Sequence, residues 1–439
     1  MLGRTINRGE TVLFSPGCLS RARACGTVQF NLEQPLMKQR LRALTVMLAG
    51  LAMLGPFCID TYLPSFAAIS RDFGVPVLYV QQTLSVYLLC FAGMMLFHGT
   101  LSDSFGRRPV IIVSLAVFTA ASVGAALATN IGALILFRAL QGLSSGAGTV
   151  VGRAMIRDRL SGAEAQKMLS DVTIVFAVAP AIAPILGGWL QLWFGWRSVF
   201  AFLAIVGLLL GLVCWRALPE SLPAGQRQAF HARQILANYW TALRHPQFLL
   251  LAFAMAFTSI GFFVYIASAP HFVPEVLGLP ATSYGWLFIP LVGGMVSGAV
   301  VAGRLAHRCE PVQLIRAGYG LMATAALLNL GYNLLSPAAV PWAVMPLFLY
   351  TFGASLASPS TMVLTLNLFP AMRGLAASLQ AFVQMLLFSI VAAVVAPLVG
   401  ASGLKLAMFL AACIGSSILC LIVLSRQWHR TVLEVRQGS

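Results

Sequence analysis

The sequence predicts an all-α membrane protein whose twelve transmembrane helices form two six-helix bundles. Of its 439 residues, 59% are hydrophobic and only 9% are charged, whereas soluble proteins carry about 25% charged residues. Twelve apolar stretches each have about the 20 residues that a helix needs to cross the hydrocarbon core of a bilayer. The longest internal interruption, between Pro219 and Pro246, separates six stretches from six.

The twelve predicted spans follow one another closely along the chain. They cover residues 43–62, 78–98, 109–128, 131–152, 169–190, 198–217, 248–269, 283–303, 313–335, 340–360, 374–399 and 403–424. Two short echoes between the halves suggest a duplication of parallel repeats. Ala183-Pro184-Ile185-Leu186-Gly187 is similar to 396–400, and Gly99-Thr100-Leu101 is similar to 303–305.

The spans divide the chain into five predicted parts. Residues 1–40 form a disordered cytosolic segment, 41–218 the first bundle, 219–246 a cytosolic linker, 247–425 the second bundle and 426–439 a cytosolic tail. Met37 directly precedes the basic stretch before the first span, which raises the hypothesis that the natural protein starts there.

The linker contains a helical pattern of apolar residues. Leu236, Tyr239, Trp240 and Leu243 recur at helical spacing, which predicts an amphipathic helix on the inner membrane surface. A flexible tether is the alternative interpretation, since linkers need no such pattern.

The distribution of positive charge determines the predicted orientation. The formal net charge is +16, from 28 lysine and arginine residues. Only Arg71, Arg197 and Lys405 fall in outer segments and only Arg138 falls within a span, so all the others lie on one side. This bias follows the positive-inside rule and predicts that both termini are cytosolic. It also argues against nucleic acid as a partner.

Several other functions lack their sequence signals. The eight cysteines form no Cys-x-x-Cys pair, so we predict neither a disulfide framework nor a zinc site or other metal site. None of the three lysines follows a glycine, which excludes a phosphate-binding loop of the Gly-Lys-Ser/Thr kind. No pair of histidines is positioned to ligate haem within the spans. We therefore expect neither an enzyme nor a bound cofactor.

A short charged loop follows the second predicted span. Gly99 and Gly106 allow the chain to turn, Asp103 can pair or cap a helix end, and Arg107 and Arg108 anchor the turn at the inner membrane face. The run resembles the signature loop of the major facilitator superfamily, Gly-x-Leu-x-Asp-x-x-Gly-Arg-Arg, although Ser104 stands where that family usually has a basic residue. The resemblance implies the major facilitator fold.

The resemblance also implies a conformational lock on the inner side. In similar transporters the loop aspartate, here Asp103, meets the start of span eleven, while the arginine, here Arg107, pairs with an acid below span four, here Asp158. Interfacial charges that are simply solvated are the alternative interpretation.

Arg138 is a cation inside the fourth predicted span, where an arginine costs about 2.5 to 3.5 kcal/mol on insertion scales. Arg138-Ala139-Leu140-Gln141-Gly142 resembles the superfamily motif Arg-x-x-Gln-Gly, which implies a role for Arg138 in proton coupling with Gln141 one turn away. A purely structural, neutralised arginine is the alternative.

Asp60 lies near the outer end of the first predicted span. A carboxylate that gains and loses a proton is the simplest proton-coupling device, and its depth would let Asp60 share a water-filled outer cavity with Arg138. The string from Asp60 to Pro64 resembles the first-span signature of bacterial twelve-span drug:proton antiporters, particularly the bicyclomycin-resistance (Bcr/CflA-type) branch. An interfacial aspartate that ends a helix is the alternative.

The fifth predicted span carries small residues and prolines. The stretch 179–188 resembles the antiporter motif Gly-x-x-x-Gly-Pro-x-x-Gly-Gly through Ala183, Pro184, Gly187 and Gly188, with alanine replacing glycine at 179 and 183. Such residues predict a bent, closely packed helix, and the resemblance implies export. An ordinary packing helix is the alternative.

Five polar or aromatic residues are candidates for a substrate cavity: Tyr87, Phe262, Tyr265, Gln380 and Gln384. Polar groups among aromatic rings suit amphiphilic ligands, although core packing explains the rings equally well.

Together these patterns predict a proton-driven antiporter that exports small hydrophobic antibiotics, such as chloramphenicol-like or bicyclomycin-like compounds, by alternating access. A transporter of a natural metabolite, such as a sugar, an amino acid or a siderophore-like solute, is the alternative. We expect a monomer in the bacterial inner membrane whose partners are its substrate, protons and lipid.

Overall fold

Helices account for the regular structure in the residues that the computed structural model describes, which are 41–227, 232–306, 308–369 and 372–437. Within these residues no strand occurs, and eleven helices are long and apolar enough to cross a membrane. In chain order the helices are α1 (Leu41–Phe73), α2 (Val77–Met95), α3 (His98–Phe105), α4 (Arg107–Ala126), α5 (Ile131–Arg159), α6 (Glu164–Phe194), α7 (Arg197–Ala217), α8 (Ala232–Leu243), α9 (Pro246–Val276), α10 (Gly285–Leu305), α11 (Pro311–Leu335), α12 (Met345–Asn367), α13 (Arg373–Val399) and α14 (Gly403–Gln427).

The ninth predicted span, residues 313–335, is present as the 25-residue helix α11 but is less apolar than the others. It contains Arg316, Asn329 and Asn333. Two of these polar side chains bond inside the protein: Asn329 donates to the Tyr265 hydroxyl (2.6 Å), and Asn333 donates to Asn329 (3.0 Å). Burial of these bonds allows a helix of this composition to lie among the spans.

Several helices are longer than the apolar stretches that predicted them. Helix α5 continues to Arg159 and α6 starts at Glu164, so both extend beyond the predicted stretches 131–152 and 169–190. Charged residues at helix ends lower the local hydropathy without ending the helix, because they reach the membrane interface. The loop after the second span is itself partly helical, as α3, and the reversal occurs at Gly106, where φ is 100°.

The two halves meet around the first part of α2, within the compact unit Met47–Ser439. Gln81 of α2 donates to the Ala267 carbonyl of α9 (3.0 Å), and Gln82 donates to the Ala393 carbonyl of α13 (3.1 Å). Ser389 of α13 donates to the Ser85 carbonyl (2.8 Å). Side chains of α2 and α13 therefore join the halves by donating to backbone carbonyls. These acceptors are present whichever residue occupies the accepting position.

Helices α6 and α10 also meet across the halves. The Cδ1 atom of Ile185 lies 3.4 Å from the position that a Cβ would take at Gly285. Toward the other ends of the two helices, Asp171 of α6 and Arg304 of α10 are exposed. The contact between α6 and α10 is thus tight at one end and uncovered at the other.

The linker contains the helix α8. Tyr239 is buried and donates to the Leu96 carbonyl at the end of α2 (2.9 Å), and Ala242 is buried beside it. Trp240 is exposed and lies under the Arg244 guanidinium, 5.0 Å from the ring centroid. Burial raises the pKa of the Tyr239 hydroxyl to about 12, so it remains a hydrogen-bond donor at neutral pH. Of the residues predicted to form one apolar face, Tyr239 is thus buried and Trp240 exposed, and the Leu236 side chain lies outside the described residues. The position of this helix on the inner membrane surface stays a prediction.

Candidate functional site

Arg138 is fully buried in the middle of α5, where it bonds to α1 and to its own helix. Its Nη1 atom donates to the carbonyl oxygen of Cys58 (3.0 Å), to the Cys58 Sγ (3.0 Å) and to the Oε1 of Gln141 (3.0 Å). Gln141, which is three residues further and therefore on nearly the same face, donates through Nε2 to the Ser122 Oγ of α4 (2.8 Å). This chain of hydrogen bonds connects α1, α5 and α4.

Two tyrosine rings lie against the Arg138 guanidinium. Its Cζ atom is 4.7 Å from the ring centroid of Tyr62 and 4.4 Å from that of Tyr87. The ring faces carry partial negative charge, and a desolvated cation–π contact contributes about 2 kcal/mol. The Tyr62 hydroxyl bonds to Thr83 (2.6 Å) and the Tyr87 hydroxyl to Ser145 (2.8 Å), so both rings are fixed at their far ends.

A close helix contact makes this arrangement possible. A Cβ at Gly142 would overlap the carbonyl of Tyr87. The absent side chain lets the backbones of α5 and α2 approach closely, which brings the Tyr87 ring onto Arg138 one turn away.

No carboxylate of the described residues lies within 4.0 Å of the Arg138 guanidinium, and its Nε and Nη2 atoms have no partner among those residues. The charge is compensated there by a carbonyl, a thiol, an amide and two rings. A buried arginine without an acid is unusual, because burying an unpaired charge is costly. The site is therefore able to accept an anionic or hydrogen-bond-accepting group.

Asp60 lies on a different face of α1. Two residues correspond to about 200° around a helix, so the direction of Cys58 toward Arg138 turns Asp60 away from it. Asp60 is 4% exposed and forms no ion pair with Arg138 within the described residues. The expectation that these two charges are close is therefore not met in this conformation, because helical phase separates them.

The residue after Asp60 packs against the predicted antiporter motif. A Cβ at Gly187 of α6 would collide with the backbone of Thr61. Ala183, Pro184 and Gly188 are buried as well, and Pro180 and Pro184 lie inside the helix. The motif thus brings α6 directly against the part of α1 that carries Asp60.

The predicted inner lock gathers around Arg107. The Arg107 side chain is 8% exposed and forms ion pairs with Asp103, on the other side of the turn at Gly106, and with Asp158 of α5 (3.1 Å from Nε). It also donates to the Ser102 hydroxyl (2.6 Å). The structure therefore brings three of the predicted lock residues together.

The resemblance implied that Asp103 contacts the start of α13, the eleventh span. Within the described residues Asp103 forms an ion pair with Arg107 and none with α13. Its carboxylate pairs with Arg107, and its side chain remains 40% exposed. The reason is local, because the turn at Gly106 places Arg107 beside Asp103 and the arginine occupies the carboxylate.

Glu220, which the sequence analysis missed, completes this group. Its Oε1 accepts from the backbone N–H of Arg107 (3.0 Å) and its Oε2 from that of Arg108 (3.2 Å). These amides belong to the first turn of α4, where a carboxylate satisfies unpaired donors and the helix dipole. The sequence signal that could have identified Glu220 was the position of an acidic residue directly after the sixth span. Gly99 and Gly106 complete the loop, and a Cβ at Gly106 would lie 2.8 Å from Glu220 Oε2.

The five cavity candidates do not form one site. Tyr87 belongs to the arginine site. Tyr265 is buried and bonded to Asn329, and Gln380 donates to the sulfur of Met255 (2.6 Å). Phe262 and Gln384 are half-buried. The hydroxyls of Tyr87 and Tyr265 bond within the core of their own halves, and a substrate cavity lined by all five residues stays a prediction.

Comparison with known proteins identifies the family. A model of the Major Facilitator Superfamily matches residues 46–393. The chain belongs to the Major Facilitator Superfamily. It is therefore a multi-pass membrane transporter, and its relatives indicate no enzyme family.

Relatives of this superfamily member include drug-resistance proteins. It is 32% identical to "Uncharacterized MFS-type transporter YdgK" of Bacillus subtilis (strain 168), over 88% of this chain and 96% of the relative. It is 28% identical to "Bicyclomycin resistance protein homolog" of Haemophilus influenzae, over 84% and 92%, respectively. It is also 28% identical to "Multidrug resistance protein MdtM" of Escherichia coli (strain K12), over 70% and 75%.

Solved structures share the superfamily fold. The xylose transporter XylE from E. coli, in a partially occluded inward-open conformation, matches with a TM-score of 0.66 and 16% identity, over 87% of this chain and 97% of that chain. The human organic anion transporter MFSD10 matches with a TM-score of 0.62 and 17% identity, over 88% and 99%. At these identities the likeness concerns the fold alone.

Proposed function

We propose that this transporter is a proton-coupled antiporter that exports small hydrophobic antibiotics of the chloramphenicol or bicyclomycin type. The observation that carries the proposal is the Arg138 site, a buried cation held by Tyr62, Tyr87 and Gln141 with no acid of the described residues in contact. The names of the bicyclomycin-resistance and multidrug relatives favour a drug as substrate. The location proposed is the bacterial inner membrane, with both termini cytosolic and the protein acting as a monomer.

Asp60 is the proposed proton carrier, and its effect is mechanical. It occupies the end of the regular α-helix in α1, immediately before Thr61, whose backbone packs against Gly187. A change of charge at a buried carboxylate alters its hydration by several kcal/mol. We expect that change to shift the contact between α1 and α6, where Pro180 and Pro184 each remove one helical hydrogen bond and allow bending.

Arg138 couples this helix to α5 in the proposed mechanism. Its hydrogen bond to the Cys58 carbonyl and its contact with the Tyr62 ring hold the face of α1 opposite to Asp60. Helix α1 is thus held by Arg138 on one face and carries the titratable Asp60 on the other. Protonation of Asp60 changes the interactions of its own face only, so the position of α1 depends on pH. An outer cavity shared by the two residues is proposed for the state in which the outer side opens.

Alternating access requires the inner ends of the halves to meet when the outer ends separate. Helices α6 and α10 are the fifth and eighth spans and therefore run in opposite directions. Since Ile185 lies against Gly285, the residue fourteen positions before Ile185 faces a position about fourteen residues after Gly285. That register places Asp171 about one and a half helical turns from Arg304, within reach of its long side chain, and we propose that these exposed charges pair when the inner side closes.

The lock residues stabilise one inner conformation in this proposal. Asp103, Arg107, Asp158 and Glu220 hold the loop between the second and third spans against the end of α5. The half-buried Phe262 and Gln384, with Gln380 on the same helical face as Gln384, are the proposed substrate contacts.

The test is transport by the purified full-length protein in proteoliposomes that enclose a pH-sensitive dye. With an acidic interior, addition of chloramphenicol or bicyclomycin should release protons and accumulate drug. Asp60→Asn should abolish both signals, whereas Asp72→Asn, on the same helix but in a surface ion pair with Arg197 (2.7 Å), should retain them. Drug accumulation that ignores the pH gradient would refute proton coupling. Proton release by a sugar, an amino acid or a siderophore, without a drug response, would favour the alternative metabolite transporter.

A further inference from the structure

A groove of about 420 Å³ lies between α9, α11, α12 and α14, away from the residues of the proposed transport mechanism. Its walls are mainly hydrocarbon, from side chains such as Leu251, Ile315, Leu364 and Ile418. An apolar groove of this size, open on one side, can hold part of an acyl chain.

One lining residue of the groove, in α11, has no side chain. Gly320 lines it, and no heavy atom lies within 4 Å of the position that a Cβ would take there. A larger side chain would project into the open space rather than into a neighbouring helix. Gly320 thus forms the floor of the groove, one turn beyond Arg316 on the same face of α11.

Arg316 is the one charged side chain in the lining of this groove. It is exposed and forms no ion pair within the described residues. It lies about one and a half turns from Pro311, the first residue of the helix, which corresponds to about 7 Å. A cation at that depth, beside an apolar channel, matches a phosphate followed by an acyl chain, because headgroups lie in the outer few ångströms of the bilayer.

We propose that this groove binds one anionic phospholipid, with the phosphate on Arg316 and an acyl chain across Gly320. The charge on Arg316 favours an anionic headgroup, since a guanidinium forms charge-assisted hydrogen bonds to phosphate oxygens and attracts a headgroup of net negative charge. The bound lipid explains how α11, the least apolar of the spans, carries an arginine on an exposed face. The site is independent of the substrate and of proton coupling.

Native mass spectrometry of the full-length protein tests this proposal. The protein is purified in mild detergent and titrated with phosphatidylglycerol or phosphatidylcholine of equal chain length. We expect one phosphatidylglycerol to bind about tenfold more tightly than further copies. Arg316→Gln should remove this preference, and Gly320→Leu should remove the tight binding although it leaves the charge in place.

Two matched variants serve as controls. Gly331→Leu adds the same side chain to α11 at another position with open space, and Arg308→Gln removes another exposed inner arginine. Both should bind phosphatidylglycerol as the unaltered protein does. The proposal is overturned if Gly331→Leu loses the lipid as Gly320→Leu does, if both groove variants retain it, or if phosphatidylcholine binds equally well. Melting temperatures in detergent identify any variant that fails to fold. If Gly320→Leu fails to fold, Gly320→Ala replaces it. Alanine narrows the groove less, so we expect an intermediate loss of phosphatidylglycerol binding.

Discussion

Glu220 caps the helix that starts at Arg107, although the two residues are separated by four spans in the chain. The two carboxylate oxygens accept the backbone amides of Arg107 and Arg108 at 3.0 and 3.2 Å. The Arg107 side chain meanwhile pairs with Asp103 and Asp158. One end of the first half is therefore held by a single connected group of charges.

Replacing Glu220 should loosen that group. Because Glu220→Gln retains only one good acceptor for two amides and loses the charge at a helix N-terminus, we expect a loss of about 1 to 2 kcal/mol of stability. The melting temperature in detergent measures it. Glu275→Gln removes a mainly exposed carboxylate beside His271 and should change the melting temperature by little. Equal shifts for both variants would contradict the capping role.

The rings around Arg138 should matter more than their hydroxyl groups. Tyr87→Phe retains the face on which the guanidinium lies and should preserve most drug efflux, whereas Tyr87→Leu removes the cation–π contact and should reduce efflux by about tenfold. Initial rates of efflux in everted vesicles, at equal protein level, provide the measurement. Equal rates for the phenylalanine and leucine variants would remove the ring from the mechanism.

Charge alone should not be sufficient at Arg138. Arg138→Lys retains a cation but not the planar fork that bonds to Cys58 and Gln141 while lying on two rings. We expect at least a tenfold loss of proton-coupled transport with normal membrane insertion. Surface labelling of inserted protein, together with transport, separates the two effects. Full transport by the lysine variant would show that only the charge is required.

The contact between Gly187 and Thr61 should tolerate no added atom. Gly187→Ala forces the backbones of α6 and α1 apart, and we expect a destabilisation of about 1 to 3 kcal/mol. Gly415→Ala, in open space on α14, is the matched control and should be neutral. Thermal unfolding in detergent compares them, and an unchanged Gly187→Ala protein would mean that the packing at this contact is looser than described.

Cysteine cross-linking should detect the alternation of α6 and α10. In a background without native cysteines, Ile185→Cys with Gly285→Cys should cross-link readily in the present conformation, and Asp171→Cys with Arg304→Cys should do so poorly. Conditions that drive the outward-facing state should reverse these yields. Parallel changes in both pairs would refute an alternating movement of these helices.

The amino-acid sequence was sufficient for those features that depend on neighbouring residues. Long apolar stretches predicted the positions of the spans, since the cost of burying polar backbone in lipid applies to each segment separately. Arg138 stood out because a cation in such a stretch is rare.

The tertiary structure decided which distant groups meet. Tyr62, Cys58 and Glu220 became part of the candidate sites only when helices far apart in the chain packed together, and their contacts depend on rotations of about 100° per residue that hydropathy does not encode. The similar depths of Asp60 and Arg138 in the membrane suggested that they lie close together. For the same reason of helical rotation, Asp60 lies on the face of α1 that is turned away from Arg138. Depth in a membrane is a property of one segment, whereas the direction of a side chain has meaning only relative to the helices around it.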